Sequence, residues 1–328
     1  MVMKRGLPLV LVALLLMFPS VGSANPNGVG SGDFDFQCGG ACHGDANMNI
    51  TSPANVTIAG ADIAYEGMFT SITVHVSDAV STPTGLLGVF LLSDLSGVGD
   101  EPSDDGWTIV TNSEGTVTNY VEVQLENGAN ATSVTWTVRA PGVGEHTLYA
   151  ALHHGEGNQD APFFGQSQGH TVTVMPVPEN LPQPDPTFAP PSQRNLGTST
   201  VLTVPTLNVM NLTAEWRDET GRTSSAEVQP LAQNEWSVTL PASLAPNTVE
   251  WRLVLTGEGP NQTTPWFQLT SQEPPLDLNE WQIYLQATAL GLFCAAFVIT
   301  AQRRPPAEVE DPLKELDDET LEDLEVKF

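Results

Sequence analysis

Apolar and polar residues alternate along several short stretches of this chain. In 69–76, Ile72, Val74 and Val76 alternate with Ser71, Thr73 and His75, and the same period of two recurs in 115–124, 133–139 and 170–174. A period of two places one set of side chains on a single face of an extended strand, so each stretch predicts a β-strand with one buried face. A second series follows at 201–204, 212–216, 226–228, 236–240, 249–255 and 266–269. Gly, Asn, Asp and Pro recur between the stretches, and no helical period interrupts them. Many short strands separated by turn residues predict an all-β chain of two β-sandwiches, the second immunoglobulin-like or fibronectin-like. Trp216, Trp236, Trp251 and Trp266 of the second series read as core or rim groups, with sugar stacking as the functional alternative.

Two apolar runs lack this alternation. The first, 7–18, follows Lys4 and Arg5 and precedes the small residues Gly22, Ser23 and Ala24. It is shorter than the roughly 20 residues a bilayer core requires. A charged start, a short apolar run and small residues after it predict a cleaved signal peptide over 1–24, with the mature chain beginning near Asn25. The second run, 281–301, has the length of one span, with Trp281 and Tyr284 suited to the headgroup layer. Arg303 and Arg304 follow it directly, which places the far side in the cytoplasm by the positive-inside rule. The sequence thus predicts a single-pass cell-membrane protein with its ectodomain outside, a transmembrane helix over 281–302 and an acidic cytoplasmic tail over 303–328. In that tail Asp311 and Pro312 can open a helix carrying Leu313, Leu316, Thr320, Leu321 and Leu324 roughly along one face. Such a segment is marginal alone and predicts folding on a cytoplasmic protein partner.

Recurrent prolines mark 176–197 as a linker between a first domain over 25–175 and a second over 198–272. Proline removes amide donors and favours extended conformations, so this linker is expected to be a semi-rigid spacer open to proteolysis.

Charge narrows the partners. The chain has 11 Lys and Arg against 39 Asp and Glu, a formal net charge of −28. Between the two apolar runs the only cations are Arg139, Arg194, Arg217, Arg222 and Arg252. Nucleic-acid binding needs a basic surface and is excluded as an expectation. An acidic ectodomain fits salty surroundings, metal cations, and a cell-envelope protein or polysaccharide as partner. Of three cysteines, Cys294 lies in the predicted span, leaving Cys38 and Cys42. One pair is not a disulfide scaffold, so the sandwiches must rest on apolar cores.

The opening Gly30-Ser31-Gly32 and Cys38-Gly39-Gly40-Ala41-Cys42-His43-Gly44 resembles the start of choice-of-anchor V domains, exported sandwiches loosely similar to Reelin-type domains. Tyr65-Glu66-Gly67, then Thr135-Trp136-Thr137-Val138-Arg139-Ala140-Pro141, then Leu148-Tyr149-Ala150-Ala151 continue that family's order. The resemblance covers about 28–174 and implies a sandwich held at the cell surface by an anchor, without a settled activity. The chain departs from it with three residues between the cysteines where the family has two, and with His153-His154 where it tends to have Asn and Gly.

Three chemistries remain open for the cysteine segment. Cys38 and Cys42 can close a small disulfide loop, natural in an exported protein. They can carry a c-type haem, with His43 as axial ligand. Or they can bind zinc or copper together with histidine. For the distal ligand, His153 or His154, placed in a loop after a strand, is favoured; Met48 is second, and His75, His146 and His170 are further candidates. Asp94, Asp100, Glu101, Asp104 and Asp105 offer oxygens to Ca²⁺, but without EF-hand spacing. Gly165-Gln166-Ser167-Gln168-Gly169 matches the hydrolase elbow, but it precedes a strand and not a helix, so no catalytic residue is assigned. Asn49, Asn55, Asn130, Asn211 and Asn261 fit the glycan acceptor pattern. Two functions follow as expectations: a surface binding or structural module and, as the alternative, a membrane-anchored electron carrier.

Overall fold

The computed structural model describes residues 50–79, 85–95, 100–125, 128–154, 163–218, 220–273 and 280–302. The predicted signal peptide 1–24, Cys38, Cys42, His43, Met48, Asn49 and 303–328 lie outside the described residues. The chain divides into compact units between Glu273 and Pro274, so both sandwiches belong to one unit.

The first sandwich comprises β1 (Ile50–Thr51), β2 (Asn55–Gly60), β3 (Ile63–Tyr65), β4 (Phe69–Ser77), β5 (Leu86–Leu92), β6 (Thr108–Asn112), β7 (Tyr120–Gln124), β8 (Thr132–Arg139), β9 (Gly144–His154), β10 (Phe163–Gln166) and β11 (His170–Met175). One sheet runs β2-β4-β8-β6. The other is built on β9, with β5 and then β7 on one side and β10 and β11 end to end on the other. Short parallel strands β1 and β3 edge β10 and β11. The predicted alternation fills the core: Ile72, Val74, Val76, Val134, Trp136 and Val138 of one sheet meet Leu87, Val89, Leu91, Leu148, Ala150, Leu152, Val172 and Val174 of the other.

One strand was not read from the sequence, and one sequence expectation changes. Strand β5 has six buried residues of seven and shows no alternation, because both its faces are covered. Phe90 and Leu92 pack outward with Ala151, Tyr120, Tyr149 and Phe164 in a second cluster, while the opposite face joins the main core. Residues 115–119 are not strand; β7 begins only at Tyr120. Before it, Asn112 accepts from the amides of Glu114 and Thr116 and donates to Thr116 and Thr118, which fixes a turn in place of a ladder.

The second sandwich comprises β12 (Gln183–Pro184), β13 (Gln193–Asn195), β14 (Thr200–Leu207), β15 (Asn211–Arg217), β16 (Thr223–Ser225), β17 (Glu227–Ala232), β18 (Glu235–Leu240), β19 (Asn247–Thr256), β20 (Gln262–Thr263) and β21 (Phe267–Gln272). Sheet β12-β14-β18-β17 faces sheet β13-β21-β19-β15-β16, with β20 on the continuation of the β19 edge. Val204, Val238, Leu240, Trp251, Leu253, Leu255, Phe267 and Leu269 form its core.

The proline-rich segment is extended, as its composition dictates, but it is packed and not a free spacer. Leu181 and Phe188 are buried, β12 adds to β14, and β13 pairs in parallel with β21. Asn208, left-handed at φ 58, donates from Nδ2 to the Glu179 carbonyl at 2.8 Å and ties the segment down. Phe188 belongs to the second core, against which Phe69 and Val110 of the first sandwich also pack. Phe69 meets Phe188 and Phe267 edge-on, with ring centroids 6.4 and 5.0 Å apart. The Arg139 guanidinium lies 4.3 Å from the Phe69 ring centre and donates to the carbonyls of Gly67 at 2.6 Å and Phe188 at 2.8 Å. Thr137 donates to the Trp266 carbonyl at 2.8 Å.

The predicted transmembrane segment is helical over α1 (Glu280–Gln302), 23 residues, with Leu285, Leu290, Leu292, Phe293 and Phe297 exposed. Among the described residues no helix is long and apolar enough to cross a membrane, so the structure does not show the predicted spanning role.

The interface gives the first prediction. Phe69→Ala removes an aromatic group touching both sandwiches and is expected to cost about 2–3 kcal/mol, somewhat below the cost for a fully buried phenylalanine. Limited proteolysis should leave 176–195 intact in the wild type and cut it in the variant. Equal cleavage of the two would contradict the packed interface.

Candidate functional site

His153 and His154 are the last two residues of β9 and not part of a loop, as the sequence had indicated. Strand alternation sends them to opposite faces of the sheet. His153 is buried, edge-on to Phe90 and Phe164 at 5.2 and 5.4 Å between ring centres. His154 is 5 % exposed and stacks on Phe163 at 4.8 Å and 12°. Its Nε2 lies 2.9 Å from the Ser52 hydroxyl, and its Nδ1 is buried without a hydrogen-bond partner among the described residues. Burial pushes this imidazole down to about 4, because the charged form loses its hydration. His154 is therefore neutral at ordinary pH, the form that binds metals.

Topology sets this ring near the start of the described chain. β1 pairs with β10 through Ile50 and Phe163, and β10 pairs with β9 through Phe163 and His154. Ile50, the first described residue, is thus in register with His154 across β10. Of the histidines, His154 has the donor chemistry for a metal or haem iron, while His153 reads as a packing group. The others are dispersed: His75 bonds Ser133 at 2.8 Å, His146 bonds the Gly142 carbonyl at 2.9 Å, and His170 sits on β11. Among the described residues no group of three or more His, Cys, Asp or Glu gathers as a metal site.

The acidic loop does not converge on a cation. Asp100 is fully buried, while Asp94 and Asp105 are exposed. Glu101 and Asp104 cap the short 3₁₀ turn Pro102–Asp105 reciprocally, the Glu101 amide donating to Asp104 at 3.1 Å. Burial raises the Glu101 carboxyl, against a lowering by the Ser103 hydroxyl and a further rise from Asp104. Beside this turn lies an open cleft of about 580 Å³, bounded by Glu101, Trp107, Val117 and Thr118. A second cavity, about 110 Å³, lies at the interface below Phe69 and Arg139, too small for an ordinary organic ligand.

Ser167 is 3 % exposed, and its hydroxyl accepts from the Ala150 amide at 2.8 Å. The hydrolase-like pattern is the break between β10 and β11 opposite β9, with Ser167 satisfying the backbone where the ladder is interrupted. Its oxygen is spent structurally. Trp251 is core, and Trp216 and Trp236 pack against that core. Trp266 has the guanidinium groups of Arg217 and Arg252 each 4.3 Å from its ring centre. Those arginines pair with Glu250 and Glu215 respectively, forming a closed charge network on the sheet. Asn55, Asn130, Asn211 and Asn261 are all exposed. Asn55 opens β2 opposite Ser77, and Asn130 bonds Ala79 at the same end of that sheet. Asn211 faces Thr256, close to where Asn261 precedes β20.

Sequence reasoning missed Ser52, Arg139 and Arg194, since a polar residue's buried partner lies far away in the chain. Comparison with protein-family models and with curated proteins finds no match to this chain.

The His154 environment predicts a pH effect. The folded protein keeps this histidine neutral down to about pH 4, whereas an unfolded histidine takes up a proton near pH 6.5. Between these values the unfolded state binds more protons, so stability falls as pH is lowered through the window. Chemical denaturation from pH 7 to pH 4 should show His154→Gln losing less stability than the wild type, by roughly 2–3 kcal/mol over the range. Identical pH profiles would show that His154 titrates normally.

Proposed function

We propose that the chain is an exported, single-pass membrane protein whose two sandwiches act as one rigid binding or structural module at the cell surface. The observation that carries this is the aromatic and guanidinium joint between the sandwiches: a protein that presents a surface away from its anchor benefits from domains that do not swing independently. The apolar run 281–301 with Arg303 and Arg304 behind it supports the anchor and its orientation. The acidic composition supports an extracellular setting with a cell-envelope protein or polysaccharide as partner. The likeness of 28–174 to choice-of-anchor V domains supports the same reading. So do the exposed acceptor asparagines, as glycan sites of a glycoprotein, and the leucine spacing in the tail sequence, as a contact for a cytoplasmic protein.

A second reading is favoured by one observation, the Nδ1 of a neutral, buried His154 that has no hydrogen-bond partner among the described residues, in register across β10 with Ile50, where the described chain begins. In it Cys38, Cys42 and His43 hold a c-type haem or another metal and His154 supplies a further ligand. A bound haem would contribute one-electron chemistry, and the sandwich would contribute exclusion of water from the ligand.

Two measurements separate these readings. Protease added to intact cells should remove the exported part and spare a C-terminal tag, with the chain staying in the membrane fraction after alkaline washing. A chain released by that wash would overturn the anchor. The purified protein should show no Soret absorption if Cys38 and Cys42 form a disulfide; a Soret band shifted by His154→Ala would establish the electron carrier instead.

A further inference from the structure

One end of the second sandwich differs from the rest of this acidic protein. Here β19 begins and β21 ends, with Asn247 opposite Ser271, and the Gln272 carbonyl accepts from the Leu196 amide at 3.0 Å. The connection 241–246 between β18 and β19 crosses the same end. It is held from several sides. Buried Arg194 donates from Nη1 to the Pro241 carbonyl and from Nε to the Ser271 hydroxyl at 2.8 Å. The Gly197 amide donates to the Ser243 carbonyl at 2.8 Å, and the Ser243 hydroxyl lies 2.7 Å from both the Ala245 carbonyl and Asn247 Oδ1. At the apex Leu244 is 90 % exposed.

A single exposed leucine needs no explanation, but its surroundings point one way. Pro241, Ala242, Ala245 and Pro246 beside it are exposed as well. The segments 195–201 and 236–249 that build this end contain no ionisable side chain, in a chain with 39 Asp and Glu. The charges bordering this end are Arg194, buried beneath the loop, exposed Glu227, which pairs with Thr239 on the edge strand β17, and Glu273. From this end the chain leaves for α1, with seven residues, 273–279, between Gln272 and Glu280, a tether of roughly 25–30 Å at full extension.

We infer that the 241–246 loop docks on the lipid surface from which the chain's own anchor emerges, with Leu244 entering the interfacial layer. Apolar side chains gain by leaving water there, and a loop that itself carries no carboxylate avoids direct repulsion by anionic headgroups. The inference rests on the membrane-anchor reading above. It is tested with a photoreactive benzoylphenylalanine at position 244 of the full chain, reconstituted in nanodiscs of phosphatidylcholine and phosphatidylglycerol. The same group replaces Leu231, 57 % exposed near the opposite end of the β17–β18 pair, as the control. After irradiation, mass spectrometry should find lipid adducts several-fold more abundant at 244 than at 231. Equal or absent lipid adducts at 244 in chains that co-purify with nanodiscs would overturn the docking while leaving the anchor intact. Cross-links from 244 to a second copy of the chain in place of lipid would also overturn it. Failure of the chain to enter nanodiscs would sink the anchor and this inference together.

Discussion

The Arg139 guanidinium joins the two sandwiches without a carboxylate partner among the described residues. It is satisfied by one carbonyl from its own sandwich, Gly67, one from the proline-rich segment, Phe188, and the face of Phe69. Burial lowers its pKa, yet a guanidinium stays charged under any ordinary condition. A buried charge is costly unless its donors are met, and hydrogen bonds from a charged donor contribute about 1.5–3 kcal/mol each. Lysine would not substitute, because a compact ammonium is more strongly hydrated and lacks the planar fork that reaches two carbonyls across a ring. Once Arg139 is placed, Phe69 is set against Phe188 and Phe267, and the segment between the sandwiches becomes part of the second core.

The other arginines follow the same internal use. Arg194 braces the loop at 241–246, while Arg217 and Arg252 lie over Trp266 and pair with Glu250 and Glu215. Of the five cations between the apolar runs, four are thus engaged within the fold, and Arg222 is exposed. The consequence is an outer surface whose charge is almost entirely negative. Such a surface stays soluble, repels anions and meets cationic or neutral partners. The uncharged end around Leu244 stands out against it.

Strands with one wet face were legible in the sequence because a period of two survives at 69–76, 133–139, 170–174 and through the second series. Strand β5 was not, since covering both faces erases the alternation that marks a strand. The proline-rich segment was legible as extended, but its packing depends on Phe188 finding Phe69 and Arg139, contacts more than a hundred and about fifty residues away in sequence. His153 and His154 were legible as a pair of candidates. Their environments, a ring among aromatics and a ring against Ser52 and Phe163, depend on β1 and β10 closing around the end of β9. Ser167 shows the reverse case, a pattern legible in sequence whose oxygen is consumed by the Ala150 amide.

The central claim is that both sandwiches fold as one body through Arg139. Scanning calorimetry of the stretch 50–273 tests it most directly. A single cooperative transition for the wild type, with Arg139→Met splitting it into two, is the predicted result. Two separate transitions in the wild type, or a lone transition unmoved by the substitution, would contradict it.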